Sequence, residues 1–172
     1  MADTTRFPID FRSPAVSHDA GNSFYNVISL TTATPDFDLG VWEMIHTGDV
    51  DSYIYGLVSV PVTIGATPAA KIILRVMANA TTGNIRTRVA TLAAADAESL
   101  DQALTAEAEV TTTMPGTAFE IEEISVPLTI AGDPSANDTI QVEFRREASD
   151  TVNDTLAANL LVVEAYLEID LS

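Results

Sequence analysis

Apolar and polar residues alternate with a period of two along most of this chain from residue 24 onward. In segment 139–147, for example, Ile140, Val142 and Phe144 share one parity, and polar side chains occupy the other. Because successive side chains of a β-strand point to opposite faces of a sheet, this alternation predicts half-buried strands. The segments that show it are 24–31, 39–46, 53–64, 71–78, 85–92, 106–113, 119–130, 139–147 and 160–171. The chain is therefore predicted to be all-β.

The spacing of these segments predicts an antiparallel two-sheet sandwich of the Greek-key or jelly-roll type, with about eight or nine strands. Gly, Pro, Asn and Asp residues separate the segments, as turns require, and no sequence repeat occurs. Within 119–130 the alternation changes parity at Glu122 and Glu123, which predicts a bulge or a strand that changes sheets. The stretch 96–104 predicts one or two turns of helix.

Residues 1–36 are expected to form an irregular N-terminal arm and the first strand, ahead of a jelly-roll sandwich of residues 37–172. Two prolines interrupt regular structure in the arm. It nevertheless carries alternating apolar residues with arginines beside them, which are Arg6, Phe7, Ile9, Phe11 and Arg12. This pattern leaves two interpretations open: a strand packed on its own domain, or an arm that docks on a neighbouring molecule.

A hairpin expected between segments 71–78 and 85–92 would place Arg75 opposite Arg88, with Arg86 nearby. Like charges directly opposite each other destabilise a strand pair. Carboxylates are therefore expected to lie beside these arginines. Candidates are Glu143 and Glu164 within the chain, or acidic residues of a neighbouring subunit.

Net charge excludes some partners. The chain has 25 acidic and 8 basic residues, for a net charge of −17. Such a field repels phosphate backbones and anionic membrane surfaces, so neither nucleic acid nor a membrane is an expected partner. The chain has no cysteine, so disulfides and thiolate metal sites are excluded.

Catalytic chemistry has little support in the residues. Two histidines, His18 and His46, lie far apart in the sequence, and no nucleophile or phosphate-binding motif occurs. The chain is not expected to be an enzyme, and no cofactor is expected. Calcium remains an open alternative, because carboxylate and amide oxygens cluster in three loops, although the same residues are ordinary turn formers. The loop residues are Asp49 and Asp51, then Asp133, Asn137 and Asp138, then Asp150, Asn153 and Asp154.

A carbohydrate-binding role would require aromatic rings on an exposed sheet face. The candidate residues are Trp42, Tyr53, Tyr55 and Tyr166. Trp42 has apolar neighbours in the sequence and is expected to pack in the core.

Three segments of the second half resemble β-sandwich proteins of tailed bacteriophages. They are 77–86 (MANATTGNIR), 114–118 (MPGTA), and 144–150 (FRREASD) followed by 153–155 and 160–168. Their order and spacing cover residues 53–169. The resemblance implies a jelly-roll virion protein of the capsid decoration (cement) or fibre type, and it carries over no catalytic residue.

The leading hypothesis is a decoration protein that binds and stabilises a bacteriophage head. Its expected partners are the major capsid protein or other virion proteins, and its expected state is a homo-oligomer, a trimer. It would be made in the host cytoplasm and reside on the capsid surface of the virion. Candidate contact residues for the capsid or a neighbouring subunit are Arg6, Phe7, Phe11, Arg12, Arg75, Arg86 and Arg88. The alternative is a carbohydrate-binding or receptor-binding β-sandwich module of a tail fibre.

Overall fold

The computed structural model describes residues 4–14, 23–30, 37–46, 50–59, 70–104, 106–132 and 134–170. Within these ranges the chain forms eleven β-strands. No helix long and apolar enough to cross a membrane occurs in them. The strands are β1 (Thr4–Pro8), β2 (Asp10–Pro14), β3 (Ser23–Leu30), β4 (Phe37–Met44), β5 (Ser52–Ser59), β6 (Ala70–Ala78), β7 (Asn84–Ala94), β8 (Ala106–Thr113), β9 (Glu122–Leu128), β10 (Thr139–Arg146) and β11 (Leu160–Asp170).

The strand order identifies the fold. The first sheet has the order β3-β4-β11-β6-β9, with β1 also paired to β11, and the second has the order β2-β5-β10-β7-β8. From β4 to β11 the chain crosses between the sheets at every connection except the β7–β8 hairpin. Strands β4-β11-β6-β9 in one layer and β5-β10-β7-β8 in the other are the arrangement of a jelly roll. The predicted antiparallel jelly-roll sandwich is confirmed.

The N-terminal segment is part of the sandwich where the structure describes it. β1 pairs with β11 in the first sheet and β2 pairs with β5 in the second, so the expected irregular arm is regular over residues 4–14. The chain changes sheets at Ile9, which is buried and whose N–H donates to the Ala165 carbonyl at 2.9 Å. These two strands raise the count above the expected eight or nine. Residues 15–22 of the arm, including His18, lie outside the described part.

The core lies between the sheets, and most strands contribute side chains of one parity to it, whereas β11 changes parity at the register shift between Val162 and Glu164. In β10, Ile140, Val142 and Phe144 are buried, as their alternation predicts. Phe11 of β2 meets Phe144 edge-on, with 5.5 Å between ring centroids. An aromatic pair in this geometry contributes beyond its buried area. The N-terminal segment therefore contributes side chains to the same core as the rest of the sandwich.

The predicted hairpin between β6 and β7 is wrong. β6 pairs with β9 and β11 in the first sheet, whereas β7 pairs with β8 and β10 in the second. The turn between them carries the chain across the sandwich and passes close to the loop before β11. Gly83 in this turn has a φ of +127°, and a Cβ there would collide with the Leu156 backbone. Arg75 consequently lies opposite Glu123 and Glu164, not opposite Arg88.

Two local predictions also need correction. Stretch 96–104 is not helical, because it turns at Ala97, where a φ of +67° interrupts a right-handed helix. The parity change within 119–130 comes from a turn at Phe119, which has a φ of +61°. β9 then pairs with β6 in continuous register, so no bulge is needed there. A bulge does occur in β11, where the alternation gave no signal of it.

The sheet edges differ in charge. Strands β1, β2, β8 and β9 each carry charged residues or proline, which oppose pairing with a further strand. β3 ends the first sheet and contains neither, with the sequence SFYNVISL. Phe24, Tyr25 and Val27 on this strand are 39%, 59% and 56% exposed. Among the described edges, β3 is therefore the one without charge protection.

Candidate functional site

The outer face of the second sheet places two tyrosines beside a row of charged groups. Tyr53 and Tyr55 point outward from β5, because Ile54 between them points into the core. The register places Tyr53 opposite Arg145 and Tyr55 opposite Glu143. We call this surface the tyrosine face, and it consists of Tyr53, Tyr55, Glu143, Arg145, Arg88, Glu107 and Glu109.

Both tyrosines are held by their cross-strand neighbours. Partial burial raises the pKa of the Tyr55 hydroxyl, and its hydrogen bond to Glu143 raises it further. Burial also raises the pKa of Tyr53, whose ring centroid lies 5.3 Å from the Arg145 guanidinium carbon. This distance is within the range of a cation–π contact. The two hydroxyls therefore remain protonated at physiological pH, and the contacts with Glu143 and Arg145 restrict rotation of the two side chains.

Asp51 holds the Arg145 side chain through hydrogen bonds. Its Nε and Nη2 donate to Asp51 Oδ2 at 2.9 and 2.6 Å, and the Ser149 N–H donates to Oδ1 at 2.9 Å. Burial alone would raise the pKa of the Asp51 carboxyl, but the Ser149 and Arg145 hydrogen bonds outweigh it and hold the pKa below its ordinary value. Asp51 is therefore an anion that positions Arg145.

Arginines do lie opposite each other on this face, but the pair is Arg88 and Arg145. Glu147 lies between them, 2.8 Å from Arg88 and 3.7 Å from Arg145. Arg88 also contacts Glu107 at 2.9 Å, and Arg86 contacts Glu109 and Glu147. Carboxylates of the same chain therefore compensate the like charges, as expected, although the residues differ from those predicted.

We expect Asp51→Asn to destabilise the fold by about 1–2 kcal/mol at pH 7, because it weakens a charged hydrogen bond to Arg145. A depressed folded-state pKa stabilises the fold above the unfolded pKa of about 4, and this stabilisation is lost as pH falls through the folded value. The difference in the free energy of unfolding between wild type and variant should therefore shrink as the pH falls. Urea unfolding from pH 7 to pH 3 measures it, with the exposed Asp101→Asn as control. A difference that stays constant would contradict the role given to this carboxylate.

Residues 95–104 fold over one end of the tyrosine face. The Gln141 side-chain amide, on the same strand as Glu143, donates to the Leu100 carbonyl at 2.7 Å. A cavity of about 500 Å³ opens between this segment and Thr139. The segment therefore bounds the face at this end of β10.

The seven predicted contact residues do not share one surface. Arg6 and Arg75 lie on the outer face of the first sheet. Arg6 contacts Glu123 and Glu168, and Arg75 contacts Glu164. Phe7 and Phe11 pack against the core of their own chain, and Arg86 and Arg88 lie on the second sheet. The Arg12 backbone belongs to β2, and its side chain lies outside the described part. The role of these residues at an interface stays a prediction.

The four candidate platform aromatics also separate. Tyr166 lies on the first sheet and donates to Glu164 at 2.8 Å. Trp42 packs against the core as expected, with its ring centroid 5.8 Å from that of Phe11 and 5.7 Å from that of Tyr25. Tyr53 and Tyr55 alone among the four share an outer face.

Each described aspartate of the acidic loops has a structural partner. Asp138 accepts the Ser135 N–H at 2.7 Å, and the Asn153 side-chain amide donates to Asp150 at 2.7 Å, which lowers the pKa of that carboxyl. Across the described ranges, no three acidic or histidine side chains are grouped to hold a metal ion. Asp49 and Asp133 lie outside these ranges. The described contacts support the interpretation of Asp138 and Asp150 as turn residues, whereas Asp51 and Asp154 pair with arginines.

Sequence reasoning missed a fully buried ion pair beneath the site. Arg146 and Asp154 are both 0% exposed, with Nη2 to Oδ1 at 2.7 Å and Nε to Oδ2 at 2.9 Å. Arg146 also donates to the carbonyls of Leu156 and Ala158. The signal was available, because Arg146 shares the parity of Phe144, which places its charge on the core side.

No protein-family model matches the chain, and no curated protein matches it in sequence. Among solved structures, it is similar to an arabinose-bound α-L-arabinofuranosidase, with 12% identity and a TM-score of 0.48 over 94% of this chain and 26% of that one. The chain thus spans about a quarter of that enzyme's length. A family 11 carbohydrate-binding module from Clostridium thermocellum, in complex with a mixed-linked tetrasaccharide, has 10% identity and a TM-score of 0.39 over 95% of both chains.

The enzymatically active domain of bacteriophage CBA120 tailspike protein 4 is also similar, with 7% identity and a TM-score of 0.37 over 97% of this chain and 19% of that one. All three TM-scores lie below 0.5, so these likenesses carry no argument about role. The jelly-roll assignment stands on the strand order of the chain itself.

Proposed function

We propose that this chain is a carbohydrate-binding β-sandwich module, with a binding rather than a catalytic role, and that the tyrosine face contacts the glycan. The supporting observation is that Tyr53 and Tyr55 stand side by side on an outer sheet face among fixed carboxylates and guanidinium groups. Sugar rings have apolar C–H faces that pack on aromatic side chains, and hydroxyls that bond to polar groups. The tyrosine face offers both kinds of contact on adjacent strands.

The ion pairs of the face support recognition in two ways. Arg145 is held by Asp51, and Arg88 by Glu107 and Glu147, before any ligand arrives, which lowers the ordering cost of binding. The same pairs neutralise the arginines, so the face offers no unpaired positive charge to an acidic glycan. Neutral glycans are the ligands that this surface favours.

Tyr55→Ala is expected to weaken glycan binding by about tenfold or more, since central aromatic contacts dominate such interfaces. Tyr55→Phe keeps the ring and should retain most of the affinity. A glycan array identifies the ligand, and titration calorimetry with that ligand then compares the variants.

Tyr166→Ala provides the matched control, because it removes a tyrosine from the opposite sheet. Equal losses in Tyr55→Ala and Tyr166→Ala would show that the effect does not come from the tyrosine face. An array without signal, tested with folded protein, would count against the proposed function.

A second candidate is a bacteriophage capsid decoration protein on the virion surface, which binds the major capsid protein or another virion protein as a trimer. The uncharged β3 edge favours it, because Phe24, Tyr25 and Val27 are exposed on one strand of a strongly acidic chain. Exposed apolar groups of this kind are typical of protein contacts. Light scattering on a sizing column tests it: a trimer that Tyr25→Lys dissociates would support it, and a monomer at high concentration would oppose it.

A further inference from the structure

A second polar cavity lies on the first sheet, well separated in topology from the tyrosine face. It has a volume of about 460 Å³ and lies where β6 ends and β11 begins. Its lining includes Asn26, Glu43, Asn79, Phe119 and Asn159. None of the described residues that line it is a lysine or an arginine. A volume of this size lies within the range of small-molecule sites.

The carboxylate in this cavity is clamped by two amides. Asn26 Nδ2 donates to Glu43 Oε2 at 2.7 Å, and Asn159 Nδ2 donates to Oε1 at 2.5 Å. Each amide oxygen is occupied as well, since Asn26 Oδ1 accepts the Val27 N–H and Asn159 Oδ1 accepts the His46 N–H, both at 2.8 Å. The orientation of all three side chains is therefore determined by the protein alone.

These groups retain capacity for a ligand. Each carboxylate oxygen can accept a second hydrogen bond, and each amide nitrogen carries a second N–H to donate. Hydroxyl groups, which both donate and accept, match such a mixed set. An anionic ligand would instead face the Glu43 charge without a compensating cation among the described lining residues.

Phe119 supplies an aromatic wall in a strained conformation. Its φ of +61° is rare for a bulky side chain, and its N–H donates to the Ala78 carbonyl at 2.8 Å. The side chain is 38% exposed at the cavity, so little of this strain is explained by burial of the ring. Strain of this kind concentrates at binding sites, where the backbone must present a particular group.

Part of the cavity lining is held by the buried Arg146. Arg146 donates to the carbonyls of Leu156 and Ala158, and Ala158 and Asn159 line the cavity. The lining also includes the buried Leu161 of β11. Arg146 therefore holds the segment that supplies Asn159 to the cavity.

We infer that this cavity binds one ring of a neutral sugar, with Glu43 and the amides of Asn26 and Asn159 on its hydroxyls and the Phe119 ring against its apolar face. The site uses none of the residues of the tyrosine face, so this inference and the proposed function can be tested separately.

Phe119→Gly is the decisive variant, because glycine adopts positive φ without strain while the ring is lost. Titrations with D-glucose, D-galactose and D-mannose should detect binding of at least one hexose to the wild type. Phe119→Gly should weaken it by about tenfold or more, with a melting temperature equal to or above that of the wild type. Tyr166→Ala, which removes an aromatic ring of the same sheet that does not line the cavity, should leave hexose affinity unchanged.

Each other result would overturn the inference. Unchanged affinity in Phe119→Gly would overturn the inference, and loss of binding in Tyr55→Ala with Phe119→Gly unaffected would assign the hexose to the tyrosine face and support the proposed function instead. Binding of tetramethylammonium but of no hexose would make the cavity a cation site. Failure of all three hexoses with folded protein would also end the assignment.

Discussion

Arg146→Met is expected to destabilise the fold by about 3–5 kcal/mol, the usual cost of leaving a buried charge without its partner. Methionine fills much of the same volume, so the effect comes from Asp154, whose buried carboxylate loses both hydrogen bonds from the guanidinium group. The carbonyls of Leu156 and Ala158 would lose their donor as well. The loop before β11, which supplies Ala158 and Asn159 to the cavity near Phe119, is therefore expected to become more mobile.

Urea unfolding of the single and double variants separates charge from packing. Asp154→Leu alone leaves a buried guanidinium and should cost a similar amount, whereas Arg146→Met combined with Asp154→Leu should recover a large part of the loss. Losses that simply add in the double variant would show that the two side chains do not act as a pair. A single-variant loss under about 1 kcal/mol would contradict their complete burial.

The second large effect is expected from removal of residues 1–14, which should unfold the protein. The deletion takes away β1 and β2, and with them Ile9, Phe7 and Phe11 from the core. Full burial of such a side chain, as for Ile9, contributes about 1.5–3 kcal/mol, and the half-buried Phe7 and Phe11 contribute part of that amount. Their sum, with the lost strand pairing, is comparable to the entire stability of a typical domain, about 5–15 kcal/mol.

Circular dichroism and thermal melting test this directly. A deletion that ends before Thr4 keeps both strands and serves as the control. Ile9→Ala gives a graded version, because the side chain lies against Gly56, where a Cβ would overlap it. A truncated chain from residue 15 that keeps a cooperative β-sheet transition would show that the N-terminal segment is a detachable arm.

Many of the strands could be predicted because they alternate buried and more exposed residues, as in β5, β9 and β10. The segment 106–113 coincides with β8, and 139–147 differs from β10 by one residue. Local alternation determines these strands, so neighbouring sequence suffices to find them. Glu164, which contacts Arg75, was one of two candidate carboxylates within the chain, while a neighbouring subunit remained the alternative.

The pairing of strands could not be predicted in the same way. A short turn after β6 favours a hairpin locally, but in a jelly roll that connection crosses between sheets. The wrong partner for Arg75 followed from this single choice. The Glu43 clamp was also hidden, because Asn26 and Asn159 are separated by most of the chain and meet only through the topology.

The uncharged β3 edge determines how copies of this chain could associate by strand pairing. A fibril needs two adhesive edges on each molecule, one to receive the preceding unit and one to offer to the next. Here the remaining described edges carry acidic residues, arginines or prolines, so a second copy added along β3 would find no equivalent edge on which growth could continue. Strand pairing through β3 is thus expected to be self-terminating, so a trimer of this chain would use the exposed side chains of β3 and not backbone pairing along its edge.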